Sequence, residues 1–135
     1  MISEIEAEVV DYEIIPDERE IIKEELKIIA DSDRADLILT TGGTGFAERD
    51  ITPEATYEVI EKEVPGIPEK MRADTMSITP MAALSRAKAG IRGKTLIVNL
   101  PGSPKAVKEC LQAIIEILPH GIDILRGNVT EHKND

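Results

Sequence analysis

Three short stretches of this sequence combine bare backbone and oxygen-bearing side chains in a way that suits phosphate. The first is Thr41-Gly42-Gly43-Thr44-Gly45, followed shortly by Asp50. Glycine brings no Cβ, so a ligand's phosphates can approach the N–H groups of such a turn directly. No Gly-Lys-Ser/Thr follows, so the turn is not a P-loop, and it lacks the spacing of a dinucleotide fingerprint. By itself it is equally a tight connection between a strand and a helix. Asp50 is either a carboxylate placed at a helix start or a magnesium ligand, because hard carboxylate oxygens suit that ion. The second stretch, Pro16-Asp17, presents the same choice at Asp17. The third is Asn99-Leu100-Pro101-Gly102-Ser103, where Asn99 either pins the turn or meets a ligand. Thr75, Ser85 and Ser103 offer hydroxyls, and each also makes sense as a local backbone cap. Arg49, Arg86, Arg92, Lys94 and Lys105 are the candidate local cations. Cys110 reads as a small core residue, and neither His120 nor His132 has a partner pattern for catalysis or metal binding.

What unites the three stretches is the kind of element that must carry them. Apolar residues across 7–15 predict a strand stopped by Pro16. Asp17 and Glu18 then open a helix with Ile22, Leu26 and Ile29 at helical spacing, and residues 36–41 predict a second strand. Strand, helix, strand and glycine turn in that order imply a parallel sheet with right-handed crossovers. Loops at the carboxyl ends of such strands converge on one rim. Two aspartates on that rim beside a phosphate-shaped turn point to metal-assisted phosphoryl chemistry.

Further along, Thr52 is expected to cap a helix with Pro53 in its first turn, running to Val64 before Pro65-Gly66 breaks it. A helical stretch is expected over 68–76, and a proline-started segment from Thr79 to Lys88. Gly90 and Gly93 are expected to bracket a turn before a strand at 94–100. Ser103-Pro104 starts a helix whose apolar face is Val107, Leu111, Ile114, Ile115 and Leu118, closed by Pro119. Residues 1–127 read as one domain and 128–135 as a polar tail.

Composition narrows the class. The 135 residues fit one domain, and 41% hydrophobic content supports a globular core. Tyr12, Phe46 and Tyr57 are the only aromatic residues, so that core is aliphatic. A net charge of −10 argues against a nucleic-acid or anionic-membrane partner, and no apolar run approaches the roughly 18 residues of a membrane span. A single cysteine excludes an internal disulfide and a Cys-based zinc site. The first residues do not resemble a signal peptide, so the expected location is the cytoplasm.

The motifs together resemble the MogA/MoaB-type molybdenum cofactor biosynthesis family, the molybdopterin-binding domain family. The resemblance is carried by Ile15-Pro16-Asp17-Glu18, Thr40-Thr41-Gly42-Gly43-Thr44-Gly45 and Arg49-Asp50-Ile51-Thr52-Pro53-Glu54-Ala55-Thr56. It continues through Leu84-Ser85-Arg86, Ala89-Gly90-Ile91-Arg92-Gly93 and Asn99-Leu100-Pro101-Gly102-Ser103-Pro104. It implies a three-layer α/β/α fold with a mainly parallel sheet, usually assembled as a homotrimer. It also implies an adenylyltransferase in which molybdopterin attacks the α-phosphate of ATP with Mg2+, releasing pyrophosphate. Asp17 and Asp50 match the family's two functional aspartates, and hence its metal and catalytic positions. Thr41, Gly42, Gly43, Thr44 and Gly45 match its ligand loop. Ser85 and Asn99, with Pro101, Gly102 and Ser103, fall at the pterin and nucleotide side, and Thr75 stands where relatives often carry serine. The resemblance further implies handover of product to a metal-insertion partner. Relatives normally have a strand, a polar loop and a helix before the region seen here. The chain is therefore expected to be N-terminally shortened, with residues 1–5 as the end of that helix and Met1 as an internal methionine. The alternative to the enzyme is a non-catalytic module that only holds molybdopterin.

Overall fold

A computed structural model describes residues 7–128. The helix end expected at residues 1–5 and nearly all of the expected polar tail lie outside the described residues. Ile22, Leu26 and Ala30 recur a helical turn apart and form the buried stripe of α1 (Arg19–Asp31). After it come β1 (Leu37–Thr41), α2 (Thr52–Val59), β2 (Lys62–Glu63) and α3 (Gly66–Met76). A 3-10 turn (Pro80–Leu84), β3 (Ala89–Arg92), β4 (Thr95–Leu100), α4 (Pro104–Ile114) and α5 (Leu118–Arg126) complete the order.

The strands lie in the order β1-β4-β3-β2. β4 is buried along its whole length because helices cover both faces of the sheet. Leu96, Val98 and Leu100 pack with Ile67 and Met71 of α3, Leu111 and Ile114 of α4 and Leu118 of α5. Ile97 points the other way, to Ile22 and Leu26 of α1 and Ala55 and Val59 of α2. The period-two alternation of one strand thus builds both halves of the core, giving the expected α/β/α layering. Burying a side chain such as Ile97 or Leu100 contributes about 1.5–3 kcal/mol, and both are essentially inaccessible.

β1 and β4 are parallel, with Thr41 opposite Leu100, so their two following loops emerge side by side. The rest of the sheet is antiparallel: β3 against β4 and β2 against β3. The sheet is therefore mixed where a mainly parallel one was expected. The cause is the tight Gly93-Lys94 turn, with Gly93 at φ +60. So short a connection can join only antiparallel strands. Gly90, expected in that turn, lies inside β3, where any Cβ would collide with Ile60.

Other expectations shift as well. Residues 7–15 form no strand. A strand exists through its hydrogen-bonded neighbour, and among the described residues β1 pairs only with β4. α2 ends at Val59 rather than Val64, because Glu61 N–H and Val64 N–H donate to Ile91 O and Ala89 O of β3 (2.7 and 2.9 Å). Thr52 is not the cap of α2; that position is Ile51, and Thr52 is a buried first-turn residue. Thr79 does accept from Met81 N–H as an N-cap, but its turn stops at Leu84 and not at Lys88. Ser103 caps α4 by accepting from Ala106 N–H. Pro119 opens α5 rather than closing α4, since a first-turn proline loses no helical hydrogen bond. Among the described residues no helix is long and apolar enough to cross a membrane.

Candidate functional site

The parallel pairing of β1 and β4 brings the glycine turn and the Pro101-Gly102-Ser103 loop together. Gly42 N–H donates to Leu100 O at 3.0 Å, and a Cβ built on Gly102 would stand 3.4 Å from the Gly42 Cα. The two backbones therefore meet with no side chain between them. Gly42 and Gly43 hold φ values of +89 and +71, in the left-handed region that favours glycine. At Gly43 a Cβ would overlap Thr52 Oγ1. That close approach lets Thr52 N–H donate to Gly43 O at 3.2 Å and ties the turn to the start of α2.

Asp50 sits on the return from this turn and is half-buried. Its Oδ2 accepts from Ala47 N–H at 2.8 Å, and its own N–H donates to Ala47 O at 2.9 Å. These bonds leave Oδ1 without a protein partner among the described residues. Thr41 is exposed at the strand end, Thr44 is buried, and Gly45 closes against the Asp50 carboxylate. Asp17 lies on the turn before α1, is exposed, and makes no side-chain hydrogen bond or ion pair among the described residues. Its place is set by the Pro16 turn, in which Glu18 N–H donates to Pro16 O at 2.8 Å.

The remaining candidates divide. Gly102 and Ser103 are exposed and Pro101 is half-buried, all beside the glycine turn. Ser85 Oγ accepts from Ala87 N–H at 3.3 Å, in the stretch whose Arg86 N–H donates to Thr44 O at 2.9 Å. Asn99 is fully buried, and its amide is taken up by the protein. Nδ2 donates to the hydroxyls of Thr40 and Thr56, both at 2.9 Å, and Oδ1 accepts from Lys88 N–H at 3.0 Å. Asn99 thus pins β1, α2 and the start of β3 to one another. Thr75 is buried in α3 and donates to Met71 O at 2.6 Å. It borders a surface groove of about 320 Å³ with Asp74, Lys108 and Gln112, not the glycine turn.

The sequence offers Arg86 only as one of five candidate local cations. The structure places its guanidinium against the loop, donating to Gly45 O, Asp50 O and the Glu54 carboxylate. That hydrogen bond holds the Glu54 carboxyl below its ordinary pKa. Arg92, by contrast, binds Asp31 and Val59 O away from the loop. Burial pushes the Cys110 thiol up, which suits the inert core residue expected there.

Asp50 Oδ1 and the exposed Asp17 carboxylate are hard oxygens of the kind that could hold a magnesium ion. Among the described residues no group of three or more His, Cys, Asp or Glu could cage a metal.

Comparison with known proteins identifies the family. The family model described as "Probable molybdopterin binding domain" matches residues 1–120. The chain is similar to the molybdopterin adenylyltransferase of Helicobacter pylori, 50% identical over 117 residues, which cover 87% of this chain and 66% of that protein. It is also similar to the molybdopterin adenylyltransferase of Escherichia coli, 44% identical over 119 residues, covering 88% of this chain and 57% of that one. The chain thus spans less than two thirds of the length of these curated relatives. Among solved structures, the molybdopterin biosynthesis enzyme MoaB of Thermus thermophilus superposes with a TM-score of 0.85 at 53% identity, covering 93% of this chain and 82% of that one. With residues 1–120 matched by the family model and 93% of its length covered by the Thermus structure, the chain belongs to the molybdopterin-binding domain family of molybdenum cofactor biosynthesis.

Proposed function

We propose that this chain binds molybdopterin and ATP at the junction of the glycine turn and the Gly102 loop, and transfers an adenylyl group to the pterin. The observation that carries the reading is the bare backbone contact of Gly42 with Gly102, with the half-buried Asp50 against Gly45 farther along the same turn. The Gly42 N–H is taken by Leu100 O, and the other peptide N–H groups of the two loops would serve the phosphates of two ligands brought side by side. Relatives named molybdopterin adenylyltransferase support the choice of ligands.

In the reaction an oxygen of the pterin's phosphate forms a bond to the α-phosphorus of ATP. The bond from that phosphorus to the bridging oxygen breaks, and pyrophosphate leaves. Asp50 and Asp17 would hold Mg2+, which when bound offsets phosphate charge. Thr41 to Gly45 and Pro101 to Ser103 orient the two phosphate groups, and Thr52 N–H and Arg86 keep the turn in shape. The protein's task is then positioning and charge placement, as is general for phosphoryl transfer.

The same reading takes the protein as cytoplasmic and homotrimeric, handing its product to a metal-insertion partner. Exposed Met76, Ile78, Met81 and Leu84 offer apolar surface for a subunit contact. Incubating the chain with molybdopterin, ATP and Mg2+ and weighing the products tests the function. Adenylylated pterin with pyrophosphate is expected. Retained pterin without pyrophosphate would leave a binding module only, and indifference to molybdopterin would refute both.

A further inference from the structure

Arg86 differs from the other arginines in what it touches. Its Nε donates to Gly45 O at 2.8 Å, its Nη2 to Asp50 O at 2.6 Å, and its Nη1 to Glu54 Oε2 at 2.6 Å. Nη2 also reaches Glu54 Oε1 at 3.4 Å, and the Arg86 peptide N–H donates to Thr44 O at 2.9 Å. One planar group therefore bridges the entrance of the 45–50 loop, its exit and the first turn of α2. All three guanidinium nitrogens donate to protein, which uses four of the five N–H groups on the loop and α2.

Two of its acceptors are backbone carbonyls, which ties both ends of the loop to one rigid fork. The Asp50 carboxylate inherits that path. Its Oδ2 is closed onto Ala47 N–H inside the same loop, and its N–H onto Ala47 O. The free Oδ1 consequently points where the clamped backbone puts it. A lysine at this position has one nitrogen and cannot bridge all three sites.

We infer that Arg86 is a positioning residue that holds Asp50 in register for the metal and nucleotide phosphates without touching either ligand. The identity of those ligands rests on the adenylyl-transfer reading; the clamp on the loop does not.

The test compares the full chain with Arg86→Lys, Glu54→Gln, Asp50→Asn and the Arg86→Lys/Asp50→Asn double variant. Arg86→Lys keeps the charge and is expected to shift Tm by only a few degrees. The amides of Ala47 and Asp50 should then exchange about tenfold faster, with those of β4 unchanged. The half-saturating Mg2+ concentration for transfer should rise about tenfold at unchanged KM for the pterin. Glu54→Gln, which spares both carbonyl bonds, should move the same readouts less. In the Asp50→Asn background, adding Arg86→Lys should cause no further loss, because the effect passes through Asp50.

Unchanged exchange at Ala47 and Asp50 in Arg86→Lys would overturn the clamp. A rise in pterin or ATP KM equal to the magnesium effect would overturn the indirect role, as would losses that simply multiply in the double variant. Should the parent chain form no adenylylated product, the adenylyl-transfer reading falls, and the exchange rates alone decide the clamp.

Discussion

Asp50 and Asp17 look alike in the sequence, each an aspartate at a turn ahead of a helix, yet the backbone around them is held very differently. The Asp50 loop is fastened by Thr52 N–H to Gly43 O, by Gly42 N–H to Leu100 O and by Arg86 to two of its carbonyls. Asp17 follows residues 7–15, whose Val9, Val10, Tyr12 and Ile14 side chains are 61–87% exposed. Ile15 alone of that run packs on the core with Ile22 and Leu26. A functional side chain is placed only as well as the peptide groups on either side of it are bonded. On that measure Asp50 is a built position, and Asp17 has a turn and one anchor.

The contrast can be broken most directly by removing each carboxylate. Asp50→Asn should lower adenylyl transfer about 100- to 1,000-fold, the size expected for loss of a metal-holding group. Asp17→Asn, in the less constrained position, should cost about tenfold. Steady-state product formation measures both, and equal losses would show that Asp17 is as well placed as Asp50.

Stability tests the same difference without any ligand. Gly43→Ala combines a left-handed backbone with an overlap on Thr52 Oγ1, and should destabilise the chain by about 1–3 kcal/mol. Ile14→Ser removes an exposed side chain and should stay within about 0.5 kcal/mol. Urea unfolding distinguishes them. A cost at Ile14 matching that at Gly43 would mean the 7–15 segment carries more of the fold than its exposure implies.

The smallest effect concerns acid. Glu54 has its pKa lowered by the hydrogen bond from Arg86. Its contribution is present above the unfolded carboxylate pKa, about 4.3, and is lost as pH falls through the lowered folded value. Because the pair is partly exposed, Glu54→Gln should remove less than about 1 kcal/mol and flatten that part of the acid limb. Glu13, beside the Asp17 turn, has its pKa raised by a hydrogen bond shared with Glu25. Its contribution runs the other way: present below the unfolded pKa and lost as pH rises through the raised folded value. Nuclear magnetic resonance titration of the two carboxyls should show midpoints on opposite sides of the ordinary glutamate value, and coincident midpoints would erase the distinction.

Much of the architecture was legible because it is local. The period of Ile22 and Leu26 in α1, the caps at Thr79 and Ser103 and the glycine turn all express short-range preferences. Residues 7–15 show the limit of such reasoning. Their apolar pattern is that of a strand, but pairing needs a neighbour that no local pattern can supply. The same limit explains the short α2 in place of a helix reaching Val64, because Glu61 and Val64 bond to β3. The mixed sheet and the helix opened by Pro119 follow instead from local signals, a tight glycine turn and a first-turn proline.

By itself, the sequence determined the family, the α/β class, the glycine turn and the two aspartates, since residue type and order carry those. Only the tertiary structure decided which of these residues are bound into the scaffold and which stand free. Asn99 became an internal pin through Thr40 and Thr56, and Arg86 became the clamp of the Asp50 loop across a sequence separation of 36 residues. Hydrogen bonds between groups so far apart form only when packing has brought their elements together, and no spacing rule along the chain encodes them.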